Sequence, residues 1–292
     1  MEDYVRNLKE LFVDAVRREC ADGGVGVILS GGLDSTLVAV TASRLAEVTS
    51  YSVGIADSDD LKYARLLLES SKFEGRIIEF TVEDVEVALK PIVRLVGVPD
   101  PLKVSVAVPF YFASRRAGED GLRVMLCGQG PDELFGGYNR YLEILSEDGY
   151  GSLQEALDYD VSSLFDGQLR YDAAVCRGNG IELRFPFTDE AFVNYAKGIP
   201  PELKIREVKD GGEYDCVDVA GGRKFIRKYV LRKMAEKSEV PDYIINRRKR
   251  AAQYGSGSHK ILQRLAKEKG FRERASKDGR RDYVRMYLES LL

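Results

Sequence analysis

A short apolar run, Val25-Gly26-Val27-Ile28-Leu29, passes directly into Ser30-Gly31-Gly32-Leu33-Asp34-Ser35 and then into a helix-forming stretch over 36–45. This junction constrains the fold more than any other feature of the chain. A run that is apolar at nearly every position, rather than at every second one, suits a strand buried on both faces. A glycine-rich turn between such a strand and a helix belongs to parallel α/β architecture. The pattern repeats: 51–55, 76–80 and 122–127 read as further strands, with helices expected over 60–69, 83–96 and 104–116. An amphipathic helix over 2–19, with Val5, Leu8, Leu11, Phe12, Ala15 and Val16 at helical spacing, precedes the first strand.

After about residue 140 the strand runs stop. Segments 151–165, 167–178, 189–197, 223–237, 258–268 and 280–291 carry helical periodicity or composition, with Asp189 placed to cap the third of them. Only 203–219 breaks this, where two short apolar-alternating runs flank Lys209-Asp210-Gly211-Gly212 and read as a β-hairpin. The expectation is an α/β fold: a parallel five-stranded sheet with helices on both faces, extended by a mostly helical C-terminal half. A ligand is expected at the carboxyl ends of the strands.

Composition narrows the function. An apolar share of 44% and a charged share of 31% over 292 residues suit a globular chain and exclude a disordered or collagen-like one. No apolar run approaches the roughly 18 residues of a membrane helix, and Met1-Glu2-Asp3-Tyr4 begins no signal sequence. A cytoplasmic location is therefore expected, without membrane partners. Lys+Arg 44 against Asp+Glu 47 gives no general attraction to nucleic acid. Cys20, Cys127, Cys176 and Cys216 form no CxxC pair, so reduced thiols are expected. The single histidine, His259, expected at the surface, excludes every mechanism that needs two imidazoles.

The loop 30–35 carries the chemistry. Its glycines let backbone N–H groups approach a polyanion, and Ser30 and Ser35 add hydroxyl donors. It lacks the spacing and the lysine of a Walker A loop. The bland alternative is an ordinary turn with Ser35 as a helix cap. Asp34 argues against that. A carboxylate facing phosphates repels them unless Mg²⁺ intervenes, and the metal then needs a second carboxylate. Asp132 supplies it, in Cys127-Gly128-Gln129-Gly130-Pro131-Asp132-Glu133, another glycine-rich loop that follows a strand.

Ser30-Gly31-Gly32-Leu33-Asp34-Ser35 resembles the pyrophosphate loop of the N-type ATP pyrophosphatases, the PP-loop superfamily, which cleave ATP between the α and β phosphates and transfer AMP. Residues 128–138 resemble the second signature of one branch, the synthetase domain of the asparagine synthetase family. The resemblance continues through Asp60-Leu61-Lys62-Tyr63-Ala64, Val108-Pro109-Phe110-Tyr111 and 181–189, ends near Arg248-Lys249, and covers roughly residues 20–260. It implies an adenine nucleotide α-hydrolase-like fold, with a PP-loop ATP-binding part over 1–140 and a helical part over 141–292 in one continuous domain. It implies ATP and Mg²⁺ as cofactors. Leu29 and Val53 match the adenosine site, and Ser30, Gly31, Gly32 and Ser35 the pyrophosphate cradle. Asp34 and Asp132 match the metal ligands, and Cys127 and Gly128 the residues beside the ribose. Glu182 matches an acidic position near the substrate, and Lys249 the lysine that offsets charge on the adenylated intermediate and pyrophosphate. The implied reaction adenylates a carboxylate, most readily the aspartate side chain, and transfers ammonia to it.

Three departures qualify the resemblance. Glutamine-using members carry an N-terminal glutaminase domain whose cysteine follows the initiator methionine, whereas residue 2 here is Glu2. The expected nitrogen source is thus free ammonia or a separate glutaminase subunit, unless another nucleophile is used; self-association is left open. Gln129 stands where asparagine synthetases usually have glutamate and β-lactam synthetases tyrosine. A glutamine is no general base, so Glu182 or Glu133 takes that part or the acceptor is not aspartate. The stretch 250–255 also departs. The alternatives are a PP-loop enzyme modifying RNA or another small molecule, gripping RNA through Arg247-Arg248-Lys249-Arg250, and a non-catalytic nucleotide-binding subunit of an amidotransferase. Arg247 to Arg250 also reads as a solvated charge run, Glu182 with Arg184 as a surface ion pair, and Cys127 as a small buried residue.

Overall fold

Five parallel strands form the central sheet: β1 (Gly24–Ile28), β2 (Glu47–Gly54), β3 (Glu74–Glu79), β4 (Val124–Leu126) and β5 (Glu182–Arg184), in the order β3-β2-β1-β4-β5. The computed structural model describes residues 1–20, 24–209, 212–249 and 252–292. From β1 the chain moves outward to β2 and β3, then returns past β1 to lay β4 on its other side. Register is set by Val27 facing Ser50 on one side and Leu126 on the other. The reversal opens a crevice between the carboxyl ends of β1 and β4, the usual ligand position of a doubly wound sheet.

The helices that precede β4 are α1 (Glu2–Glu19), α2 (Leu33–Ala42), α3 (Asp59–Ser70), α4 (Val82–Val96) and α5 (Pro101–Glu119). Period-two alternation sends successive side chains to opposite cores. Val124 and Leu126 of β4 enter one core with Leu8 and Phe12 of α1, and Phe12 stacks on Phe187 at 4.4 Å. Met125 and Cys127 enter the other with Leu89, Ile92 and Phe110. Local signals agree with the boundaries: Thr81 and Asp84 form a capping box on α4, and Asp100 caps α5 ahead of Pro101. Among the described residues no helix is long and apolar enough to cross a membrane.

Three expectations are corrected. The strands do not stop at residue 140: β5 lies far beyond it, and its three residues, of which only Leu183 is buried, are too few to show a period. The region 203–219 is not one hairpin. β6 (Ile205–Val208) and β7 (Asp218–Ala220) both pair antiparallel with a strand that the sequence had suggested as helix, β8 (Arg223–Arg227), in the order β6-β8-β7. The tight turn falls at Gly221-Gly222, both with positive φ; Asp210 and Gly211, in the expected turn, lie outside the described residues. His259 is half-buried, within 3.4 Å of the Ser105 hydroxyl and 3.1 Å of Gln263.

Candidate functional site

The two glycine-rich loops meet. A Cβ at Gly128 would lie 2.6 Å from the Ser35 amide nitrogen and 2.7 Å from the Asp34 carbonyl carbon, so only glycine permits this approach of loop to helix. Above the contact opens a cavity of about 630 Å³. Its wall includes the apolar Leu29, Val53, Val106 and Phe110 together with Ser30, Asp34, Ser35, Asp132, Lys228 and Lys249. The phosphate loop is held in shape from within. The Ser35 hydroxyl accepts from the Ser30 amide at 3.2 Å, lies 3.1 Å from the Ser30 hydroxyl and donates to the Gly32 carbonyl at 3.2 Å.

Asp34 and Asp132 come together around one ammonium. Lys228 Nζ lies 2.6 Å from Asp34 Oδ2 and 2.6 Å from Asp132 Oδ1, and Lys249 Nζ lies 2.5 Å from Asp132 Oδ2. Burial opposes ionisation of Asp132, yet Lys228 and Lys249 hold its carboxyl well below the usual carboxylate range. Burial likewise opposes the charge on Lys249, and Asp132 and Asp34 overcome it to raise the lysine above its ordinary value. Asp34 Oδ1 is buried without a hydrogen-bond partner. An orphaned carboxylate oxygen beside a second carboxylate fits a divalent cation. No cluster of three or more carboxylate, thiol or imidazole ligands exists among the described residues. The donor set therefore suits an ion that takes one or two carboxylates and completes its shell with phosphate oxygens and water, as Mg²⁺ does.

Arg247 stitches the C-terminal segment to the phosphate loop. Its guanidinium donates to the Ser30 carbonyl at 2.8 Å and to Asp60 at 2.8 Å, and lies 4.2 Å from the centroid of the Tyr63 ring. The pair with Asp60 is buried, so this part of the basic run is no solvated face; Arg248 lines the cavity but is exposed, and Arg250 lies outside the described residues.

The asparagine synthase family model matches residues 7–177 and 146–289. The chain belongs to the asparagine synthase family. It is 39% identical over 263 residues to "Putative asparagine synthetase [glutamine-hydrolyzing] 1" of Methanocaldococcus jannaschii, covering 85% of this chain and 48% of that protein. It is 30% identical over 283 residues to "Probable asparagine synthetase [glutamine-hydrolyzing]" of Dictyostelium discoideum, covering 88% and 47%. It is 31% identical over 274 residues to "Asparagine synthetase [glutamine-hydrolyzing]" of Sandersonia aurantiaca, covering 86% and 47%. The chain thus spans about half the length of these relatives.

Of the positions the asparagine synthase resemblance singled out, Leu29, Ser30, Gly32, Asp34, Ser35, Val53, Cys127, Gly128, Gln129, Asp132 and Lys249 all line the cavity, and Gly31 lies in the same loop. Cys127 is buried, and burial pushes its thiol well up, as suits a packing residue rather than a nucleophile. Glu182 is the correction. It opens β5 opposite Val124, at the amino ends of the strands, the far edge of the sheet from the cavity. Its carboxylate is exposed and accepts from Arg184 at 2.8 and 3.1 Å. The bland reading, a surface ion pair, is what the fold makes of it.

The acidic groups near Gln129 are different ones. Gln129 donates its amide N–H to Asp172, and Gln168 donates to the other oxygen of that carboxylate at 2.9 Å. Both amides line the cavity, while Asp172 lies fully buried behind them. Burial pushes the Asp172 carboxyl up to about 8, and the two amide donors only partly offset this. Glu133 also lines the cavity, with Tyr138 donating to it at 2.6 Å. Burial, then the Asp132 charge, push Glu133 up to about 7. Lys228, Asp172 and Gln168 were not singled out from sequence. A lone lysine in Arg227-Lys228-Tyr229 and an aspartate in a helical stretch carry no local motif, and their roles exist only once distant segments pack.

Proposed function

We propose that the chain uses ATP to activate a carboxylate and then transfers ammonia to it, forming an amide, with the aspartate side chain as the acceptor. The observation that carries this reading is the grouping of Asp34, Asp132 and Lys249 beside the phosphate loop, in a cavity whose wall also carries Leu29, Val53, Val106 and Phe110. A polyphosphate beside the charged groups and a flat base against the apolar ones account for both sets of residues. In the proposed sequence a carboxylate oxygen attacks the α-phosphorus, the bond to the bridging β-phosphate oxygen breaks, and pyrophosphate leaves. Ammonia then attacks the acyl carbon, the bond to AMP breaks, and a proton is released. Mg²⁺, held by Asp34 and Asp132, would offset charge on the departing pyrophosphate. Lys249 stabilises charge at the α-phosphate, and Arg247 holds the phosphate loop in place through Ser30.

The nitrogen source proposed is ammonia, free or delivered by a glutaminase. The names of the relatives, which describe glutamine hydrolysis, support the second route for them. A cytoplasmic location remains part of the proposal. A second reading has Gln129 in its favour: an acceptor other than aspartate, met by amides rather than by a carboxylate. The test is exchange of labelled pyrophosphate into ATP with Mg²⁺ and each candidate acid. Exchange dependent on aspartate supports the first reading; exchange with a different carboxylate supports the second. Exchange with none defeats both.

A further inference from the structure

We infer that Lys228 is the resident cation of the paired-carboxylate site: its ammonium occupies the position between Asp34 and Asp132 until a divalent cation arrives together with a polyphosphate. This deepens the proposed reading and rests on it. The Lys228 side chain is 3% exposed, and its ammonium lies 2.6 Å from an oxygen of each carboxylate. Two buried carboxylates without a cation repel each other strongly in a medium of low polarity. Lys228 and Lys249 between them match the two negative charges of Asp34 and Asp132 before any ligand enters.

The backbone is bent to put the lysine there. Lys228 joins β8 to the helix Tyr229–Glu236 with φ 56° and ψ 37°, the left-handed region, at a residue that is not glycine. That conformation is strained for a residue with a side chain, and its surroundings hold it. The Lys228 N–H donates to the Phe135 carbonyl at 3.3 Å, and its carbonyl accepts from the Arg232 amide at 2.9 Å. The stem runs over Gly137, where a Cβ would lie 2.6 Å from Lys228 Cε and 1.8 Å from Asp132 Oδ1. The loop of the second signature thus leaves room for this side chain and for nothing larger than glycine beneath it.

The charge balance sets the order of binding. A divalent cation entering alone meets a carboxylate pair already bridged by an ammonium, and must displace it from both carboxylates. A cation entering with a polyphosphate brings the anion that the displaced ammonium needs. Lys228 thereby couples metal affinity to the presence of phosphate.

Titration of Mn²⁺ into the purified chain, followed by the spectroscopic signal of free Mn²⁺, tests this without any turnover. Wild type without nucleotide should bind Mn²⁺ weakly. Lys228→Met, without nucleotide, should bind it at least about tenfold more tightly because the competing charge is gone, and Asp34→Asn added to that variant should abolish the gain. Lys228→Gln serves as a second variant if the methionine fails to fold. Wild type that binds Mn²⁺ alone as tightly as with a non-hydrolysable ATP analogue overturns the inference, whatever the variants do, as does a Lys228→Met that binds no better than wild type. If wild type takes up the ATP analogue but no Mn²⁺ even then, the metal–nucleotide reading itself fails, and the inference with it.

Discussion

Arg247 and Asp60 lie 187 residues apart in sequence and form an ion pair at 2.8 Å, with side chains 7% and 8% exposed. The same guanidinium grips the Ser30 carbonyl, so the pair fixes both the phosphate loop and the segment that delivers Lys249. Asp60→Ala would strand a buried guanidinium. A stability loss of about 3–5 kcal/mol is expected, read as a lower midpoint in thermal unfolding. Arg247→Lys keeps the charge but not the fork that spans two acceptors. It should raise the KM for ATP by about tenfold with a smaller change in kcat, since the contact is made to the loop and not to the reacting atoms. An Arg247→Lys chain with unchanged KM would show that the loop holds its shape unaided.

Asp34→Asn and Asp132→Asn should each lower ATP–pyrophosphate exchange by about 100-fold or more, because a metal contributes several kcal/mol of charge stabilisation. The two should differ in stability. Asp132 pairs directly with both Lys228 and Lys249, whereas among the described residues Lys228 is the one lysine in a direct ion pair with Asp34. Asp132→Asn should therefore show the larger fall in unfolding midpoint. Equal midpoints would mean that Lys249 finds another partner.

Glu182→Gln should leave exchange within about twofold of wild type and stability within about 1 kcal/mol, the scale of an exposed ion pair. Its carboxylate faces Arg184 at the amino ends of the strands, and no part of it borders the cavity. A loss of exchange beyond tenfold would require the sheet edge to communicate with the site.

The contrast between Glu182 and Lys228 shows what the sequence could carry. Asp34 and Asp132 were legible because each sits in a glycine-rich turn after an apolar strand, and strand-end loops of a parallel sheet converge by topology. Glu182 lay in a motif of the right composition, but its side of the strand end depends on where β5 begins, and a three-residue strand gives no period to read. Lys228 has no motif. Its place depends on a left-handed backbone residue after β8, a strand hidden in a stretch of helical composition. The β6-β8-β7 order was equally hidden, because a single sequence shows neighbouring runs and not which of them pair.

Asp172 should leave a signature in the pH dependence of stability. Burial pushes its carboxyl up to about 8, against the hydrogen bonds from Gln168 and Gln129; in the unfolded chain it titrates near about 3.9. Between those values the folded chain holds a proton that the unfolded chain has lost. The group's contribution is fully present below about pH 4, declines as pH rises, and is gone above about pH 8. Asp172→Asn keeps the shape and cannot titrate. The midpoint of wild type relative to this variant should fall from about pH 5 to pH 8 and level off beyond. Parallel curves would mean that the carboxyl titrates at its ordinary value.

Gln129→Glu introduces the residue that asparagine synthetases usually have at this position, and in this chain it should be harmful. The new carboxyl would face Asp172, which is fully buried and, among the described residues, is hydrogen-bonded by two amide donors, Gln129 and Gln168. Two carboxyl groups in that setting share one proton or repel each other. The variant should lose about 2 kcal/mol or more at neutral pH and regain part of it on acidification. Asp172→Asn in the same chain should restore stability, because an asparagine can both donate to the glutamate and accept from Gln168. The double-mutant cycle measures this coupling directly. Additive midpoints for the two substitutions would mean that Gln129 and Asp172 do not act as a pair.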